Sequence, residues 1–210
     1  MELRLRPGST VDIPSLIETF LNAFSTNPTV SRPFPADSSQ VQTFWHESFR
    51  EGFQNPNARF LVVEDISSFP AKFVGFAKWS QHHPPSPYEL LPTNWPEEGD
   101  PEWAREFFWD LDRWRREIMG EREHWFLELI AVKREFHGNG AGRMLLEWGC
   151  QRADEVGWEA YLDSTPDGYR LYERFGFEVV QTVEWTERLG KEYVHRFMVR
   201  KRRGKNNSEV

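Results

Sequence analysis

The chain has 210 residues, enough for one substantial core or at most two small ones, and its 39% hydrophobic and 28% charged content places it among folded globular chains. A formal net charge of −7 argues against broad binding to a phosphate backbone and favours cationic or neutral partners, amines among them. The one cysteine, Cys150, excludes an intrachain disulfide framework and a multi-cysteine zinc site.

The opening MELRLRPGSTVDIPSL has no long apolar run, so neither a signal peptide nor a membrane span is expected; the cytoplasm is the default, with the nucleus open. LRLRP alternates apolar and basic residues as a half-buried strand does. The STVDIPSLIETFLNAF stretch then supplies capping residues, a proline and apolar side chains at Leu16, Phe20, Leu21 and Phe24, predicting a helix. VQTFWHESFREGF reads as a second helix. RFLVVED and KFVGFAKWS read as strands separated by the turn-like ISSFPA, hence an antiparallel hairpin.

QHHPPSPYELLPTNWPEEGDP has proline too often for an element interior and is expected to be loop, with His82 and His83 at its start reading as surface residues. Two histidines alone do not make a metal site. Beyond the loop, Trp103, Phe107, Leu111, Trp114 and Ile118 recur at helical spacing. Trp109 lies off that stripe and reads either as an exposed aromatic or as a wall of a substrate pocket.

WFLELIAV is apolar on both alternating sets except at Glu128, the pattern of a central strand covered on both faces. It leads into HGNGAG, residues 137–142, and then GRMLLEWGCQRADEVG, a helix expected to turn Ala141, Met144, Leu145, Trp148 and Val156 inward and to stop at Gly157. A strand AYLDS follows, then a short helix PDGYRLYERFG with Pro166 early, and the strands FEVVQTVEW and EYVHRFMVR. The basic-then-polar tail, 201–210, is expected to be disordered.

Strand, glycine-rich turn, helix is a physical recipe for anion binding: bare backbone N–H groups converge, and the helix macrodipole adds about half a positive charge at its start. The turn lacks the Gly-Lys-Ser/Thr ending of a P-loop, and it sits past the middle of the chain rather than in an opening dinucleotide-binding unit. Glycines alone would also fit a tight turn.

The segment VKREFHGNGAGRML resembles the acetyl-CoA motif of the GNAT superfamily of N-acetyltransferases, whose core reads Gln/Arg-x-x-Gly-x-Gly/Ala after the central strand; His137, Gly140 and Gly142 stand at those positions. The resemblance continues through YLDSTPDGYRLYERFGFEVV and back to LRLRPGSTVDIPSLIETFLNAF, covering most of the chain outside 82–124. It implies an α/β fold: a single GNAT-like domain over residues 1–200, with a mixed central β-sheet of about six or seven strands flanked by helices and a Pro/Trp-rich insertion at about 82–124.

The same resemblance implies acetyl-CoA as co-substrate, no metal, and direct acetyl transfer to a primary amine of a small molecule or peptide. It assigns Tyr172 as general acid for the departing thiolate, the alternative being a core aromatic. It places the pantetheine arm along the backbone of Leu129, Ile130, Ala131 and Val132, and the pyrophosphate at His137, Gly138, Asn139, Gly140, Ala141, Gly142 and Arg143. Ser164 and Asp163 fall near the cofactor, though Asp163 also fits a solvent-facing position; Tyr169 either contacts the pantetheine or packs.

His137 departs from the family pattern. It either donates a ring N–H to phosphate, more strongly when protonated, or packs at the turn. Glu128 is costly to bury without a partner, so it reads as a base acting through water, as an anchor for a cationic amine, or as half of a strand-end ion pair with an arginine. Cys150 reads as a packed thiol.

The insertion suits an aromatic or cationic amine; nucleic acid and membrane are not expected partners, and monomer and homodimer are both open. A different class of reading is a catalytically weak CoA-binding or protein-interaction module that keeps the fold. RKRRGK, residues 200–205, reads as a solvated tail or a nuclear address.

Overall fold

The computed structural model describes residues 1–84, 91–190 and 192–202. Its frame is a seven-stranded sheet in the order β1-β2-β3-β4-β5-β7-β6. The strands are β1 (Leu3–Pro7), β2 (Ala58–Asp65), β3 (Lys72–His82), β4 (His124–Val132), β5 (Glu159–Ser164), β6 (Phe177–Glu184) and β7 (Val194–Arg200). Every neighbouring pair is antiparallel except β4 and β5, which run parallel and are joined by the crossover helix α5 (Ala141–Val156). The expected hairpin of β2 and β3 is present.

Side-chain alternation along the central strands divides the core into two layers. Phe60, Val62, Phe76 and Ala131 pack against α1 (Ile13–Ala23) and α3 (Ser39–Gln54), while Tyr161 and Phe197 meet α4 (Pro101–Met119) on the same face. Trp79, Trp125, Leu127 and Leu162 point to the other face, under α5 and the short α6 (Tyr169–Arg174). β4 is thus covered on both faces, as its doubly apolar sequence requires.

Helix α5 lies very close to the sheet at Gly149, where a Cβ would stand 2.1 Å from Cε2 of the fully buried Trp79. The indole Nε1 of Trp79 donates to the Leu145 carbonyl at 3.2 Å, locking helix to strand. Of the residues expected on the inner face of α5, Ala141 and Leu145 are buried and Met144 and Trp148 pack against the same core cluster, but the buried face is wider. Leu146, Gly149, Cys150 and Ala153 are buried, and Val156, at the last turn, is exposed.

Other differences are local. Pro166 precedes α6 rather than sitting within it. Two single-turn helices, α2 (Pro28–Ser31) and α7 (Thr186–Leu189), are too short to leave a periodic signal. His82 is buried, its ring 5.0 Å from that of His124, because β3 continues to residue 82; His83 is exposed, on Glu123. Arg200 is also buried, paired through two nitrogens with Asp154 at 2.7 Å, so it is no part of an exposed basic run. The rest of that run beyond Arg202, and residues 85–90 of the Pro-rich stretch, lie outside the described residues.

Candidate active site

Where β4 meets β3, Lys78 stands opposite Leu129 and Trp79 opposite Leu127, which makes Glu128 the extra residue of a β-bulge. A bulge bends its strand and ends regular pairing. On the other side, β4 pairs with β5 only from His124 to Leu127. From Leu129 to Val132 the β5-facing edge of β4 is open, and all four residues line a cleft of about 1480 Å³.

The open edge ends at the glycine turn. Gly138 and Gly140 have φ of +80° and +92°, the left-handed region that side chains disfavour, and no atom lies within 4 Å of a Cβ built at either. Backbone conformation, not crowding, demands glycine there. The turn brings the N–H groups of Gly138, Asn139, Gly140, Ala141, Gly142 and Arg143 to the start of α5 with no partner among the described residues. Unpaired donors at a helix N-terminus make an anion site. Asn139 Nδ2 donates back to the carbonyls of Phe136 and His137 at 3.2 Å each, holding the turn. The His137 ring is turned onto the Val132 carbonyl, with Nε2 at 2.9 Å. Arg143 is exposed beside Glu147 at 3.8 Å.

Tyr172 of α6 is 7% exposed and lines the cleft. Its hydroxyl has no hydrogen bond among the described residues. Burial, aided by the charge of Asp163, holds its phenol well above the usual range, so it stays protonated at neutral pH. Tyr169 does not line the cleft: its hydroxyl bonds Glu173 Oε1 at 2.5 Å, and Arg196 lies over its ring. Ser164 is fully buried on the α5 side of the sheet, bonded to the Thr165 carbonyl at 2.7 Å.

Glu128 has a cationic partner in mid-strand rather than an arginine at a strand end: Lys78 Nζ lies 2.5 Å from its Oε2. Its Oε1 is buried and has no hydrogen bond among the described residues. Asp163 turns inward, not to solvent, and receives Nε2 of His195 at 3.0 Å.

Sequence reasoning passed over Lys78 and His195, yet both left a signal. Lys78 is the charged residue within the apolar FVGFAKW, and His195 is the polar member of the inward set Tyr193, His195, Phe197 and Val199.

The outer wall of the cleft is α4 with the segment before it, which contribute Trp95, Phe107, Phe108 and Arg115. Trp109 is 57% exposed and faces away, with Arg113 over its ring at 5.4 Å.

The fold has many solved relatives. Arylalkylamine N-acetyltransferase 2 from Aedes aegypti superposes with a TM-score of 0.67 at 14% identity, over 95% of this chain and 99% of that one. A Corynebacterium glutamicum protein described as histone acetyltransferase HPA2 and related acetyltransferase gives 0.65 at 18% identity, over 98% and 99%. The ribosomal-protein-S18-alanine N-acetyltransferase of Escherichia coli gives 0.56 at 16%, over 99% and 100%. At these identities the likeness is one of fold. The model of the acetyltransferase (GNAT) family matches residues 18–177, more than half of the sequence, and the chain belongs to that family.

Proposed function

We propose that the cleft transfers an acetyl group from acetyl-CoA directly to the primary amine of a small molecule or peptide. The observation that carries this reading is the continuity of three features: the open edge of β4, the N–H groups of the glycine turn that have no partner among the described residues, and Tyr172 on the cleft lining. They fit an elongated molecule with amides at one end and a pyrophosphate at the other. Residues 129–132 would pair with the pantetheine amides as an added strand does, and the N–H groups from Gly138 to Arg143 would receive the pyrophosphate. Acetyl-CoA supplies the thioester and a thiolate leaving group; no metal is asked of the site.

The chain's own groups supply the rest. As the amine nitrogen bonds to the carbonyl carbon and the carbon–sulfur bond breaks, Tyr172 gives its proton to sulfur and recovers one from the nitrogen; a phenol is a weaker acid than a thiol of pKa about 8.5, so it returns to its protonated form. Glu128, paired with Lys78 and with no partner for Oε1 among the described residues, takes through water the proton that an ammonium must lose before it attacks. Backbone N–H groups of the open β4 edge are the donors for the oxyanion.

His137 closes the turn from behind by its bond to Val132. Ser164 and Tyr169 support the cofactor wall from positions outside the cleft. Relatives whose names give an arylalkylamine or a peptide alanine as acceptor support both acceptor types. The test is release of free thiol from acetyl-CoA across arylalkylamines, polyamines, amino acids and peptide N-termini. CoA binding without release for any of them would instead favour a binding module.

A further inference from the structure

The half-buried carboxylates lining the cleft are not equally satisfied. Glu128 faces Lys78, Asp112 faces Arg115 and Arg116, Asp154 faces Arg200, and Glu147 faces Arg143. Among the described residues, Asp163 is paired with no lysine or arginine; its partner is His195.

A carboxylate only accepts, so His195 Nε2 is the donor in their 3.0 Å bond. Its Nδ1 is buried and has no partner among the described residues, so a proton there would be an orphaned donor in the core. The tautomer that leaves none carries its single proton on Nε2. In that state the ring is neutral, and the charge of Asp163 is uncompensated.

The ring is also enclosed. His195 is 1% exposed, edged by Phe107 of α4, Trp185 and Phe197, and stacked on Tyr193 at 6.2 Å. Such a box fixes the direction of the Nε2–H bond, and with it the rotamer of Asp163.

Asp163 follows the last β5 residue paired with β4, and Glu128 lies at the bulge of β4, so the two carboxylates stand on opposite banks of the parting between those strands. Tyr172 lies within reach of the charge of Asp163. The wall opposite carries the rings of Trp95, Phe107 and Phe108.

Resting on the acetyl-transfer reading above, we propose that Asp163 is the counter-ion that receives the ammonium of the acceptor, that His195 is the positioning residue holding it, and that the acceptor is an alkylammonium on an aromatic body. A desolvated carboxylate that already has one bond to a neutral donor gains most from a cation, and aromatic walls favour a flat apolar tail with a cationic head. The amine is gathered as ammonium at Asp163, gives one proton through water to Glu128 so that its nitrogen can attack, and gives a second to the Tyr172 phenolate as the amide forms.

Equilibrium binding tests this without turnover. The CoA-loaded protein is titrated calorimetrically with phenethylamine at neutral pH, where it is ammonium, and with 2-phenylethanol, its neutral analogue. Wild type is expected to bind the ammonium about tenfold to a hundredfold more tightly, the range for a charge-assisted bond. Asp163→Asn should abolish that preference while leaving CoA affinity unchanged. His195→Phe should erode it, and His195→Gln, which keeps an N–H donor, should restore part of it. Glu51→Gln, which removes an exposed carboxylate at the cleft's mouth, should leave it intact.

Equal affinity for the two ligands in wild type, binding of neither, or an undiminished preference in Asp163→Asn would overturn the proposal. A parallel loss of CoA affinity in both variants would also overturn it, by showing the pair to be merely structural. Preference for the ammonium with no acetyl transfer to any amine would leave this site standing and sink the transferase reading instead.

Discussion

Replacing Tyr172 by phenylalanine separates chemistry from architecture, because the hydroxyl has no hydrogen-bond partner among the described residues to lose. The ring stays packed against Phe177 and over Gly168, whose Cβ would lie 2.7 Å from Cε2 of the tyrosine. Stability should therefore change by less than about 1 kcal/mol. Catalysis should not be spared. A positioned general acid contributes about 10²- to 10⁴-fold, or roughly 3 to 5 kcal/mol of transition-state stabilisation, so kcat should fall by that factor while CoA affinity holds.

The phenol also carries a signed pH signature. Its folded-state pKa is raised, by burial first and by Asp163 second, so its contribution to stability is complete below the unfolded value of about 10 and is lost as pH rises beyond it. Thermal melts between pH 8 and 11 should show wild type losing stability at the alkaline end and Tyr172→Phe losing less. Steady-state rates, CoA titration and those melts together form the assay. A variant with kcat within about threefold of wild type and normal CoA affinity would refute the role of Tyr172 as acid.

Gly149→Ala should cost about 1–3 kcal/mol, read as a lowered Tm, because its Cβ would overlap the Trp79 ring in a core with no room to yield; displaced α5 should weaken CoA binding as well. His124 gives an acid-side signature. Burial, the largest cause, lowers its pKa to about 3, so stability complete above the unfolded value of about 6.5 is lost as pH falls toward 3. Urea titrations of His124→Gln should show a flatter decline over that window. At the glycine turn, Gly140→Ala forces a left-handed alanine at about 1–2 kcal/mol and should lower CoA affinity. His137→Gln should leave the affinity and its pH profile unchanged, since the ring faces Val132 rather than the bare N–H groups.

The strands and long helices were legible because each has a burial period that its side chains repeat: doubly apolar β4, alternating β1, and the stripe Trp103, Phe107, Leu111 on α4. The glycine turn was legible because positive φ restricts residue choice. The pairing of Glu128 with Lys78, and of Asp163 with His195, was not. Each joins residues on different strands, and the Glu128 pair depends on a bulge that shifts register by one residue without any proline or glycine to mark it. Val156 is exposed at the last turn of α5, where Ala153 is the side chain that packs on the core.

The most direct test of acetyl transfer is an initial-rate study with acetyl-CoA and phenethylamine both varied, following free thiol and acetylated amine in the same samples. Direct transfer predicts equal amounts of the two products and intersecting double-reciprocal lines. Thiol released without acetylated amine, or parallel lines marking a covalent acetyl-enzyme, would contradict it.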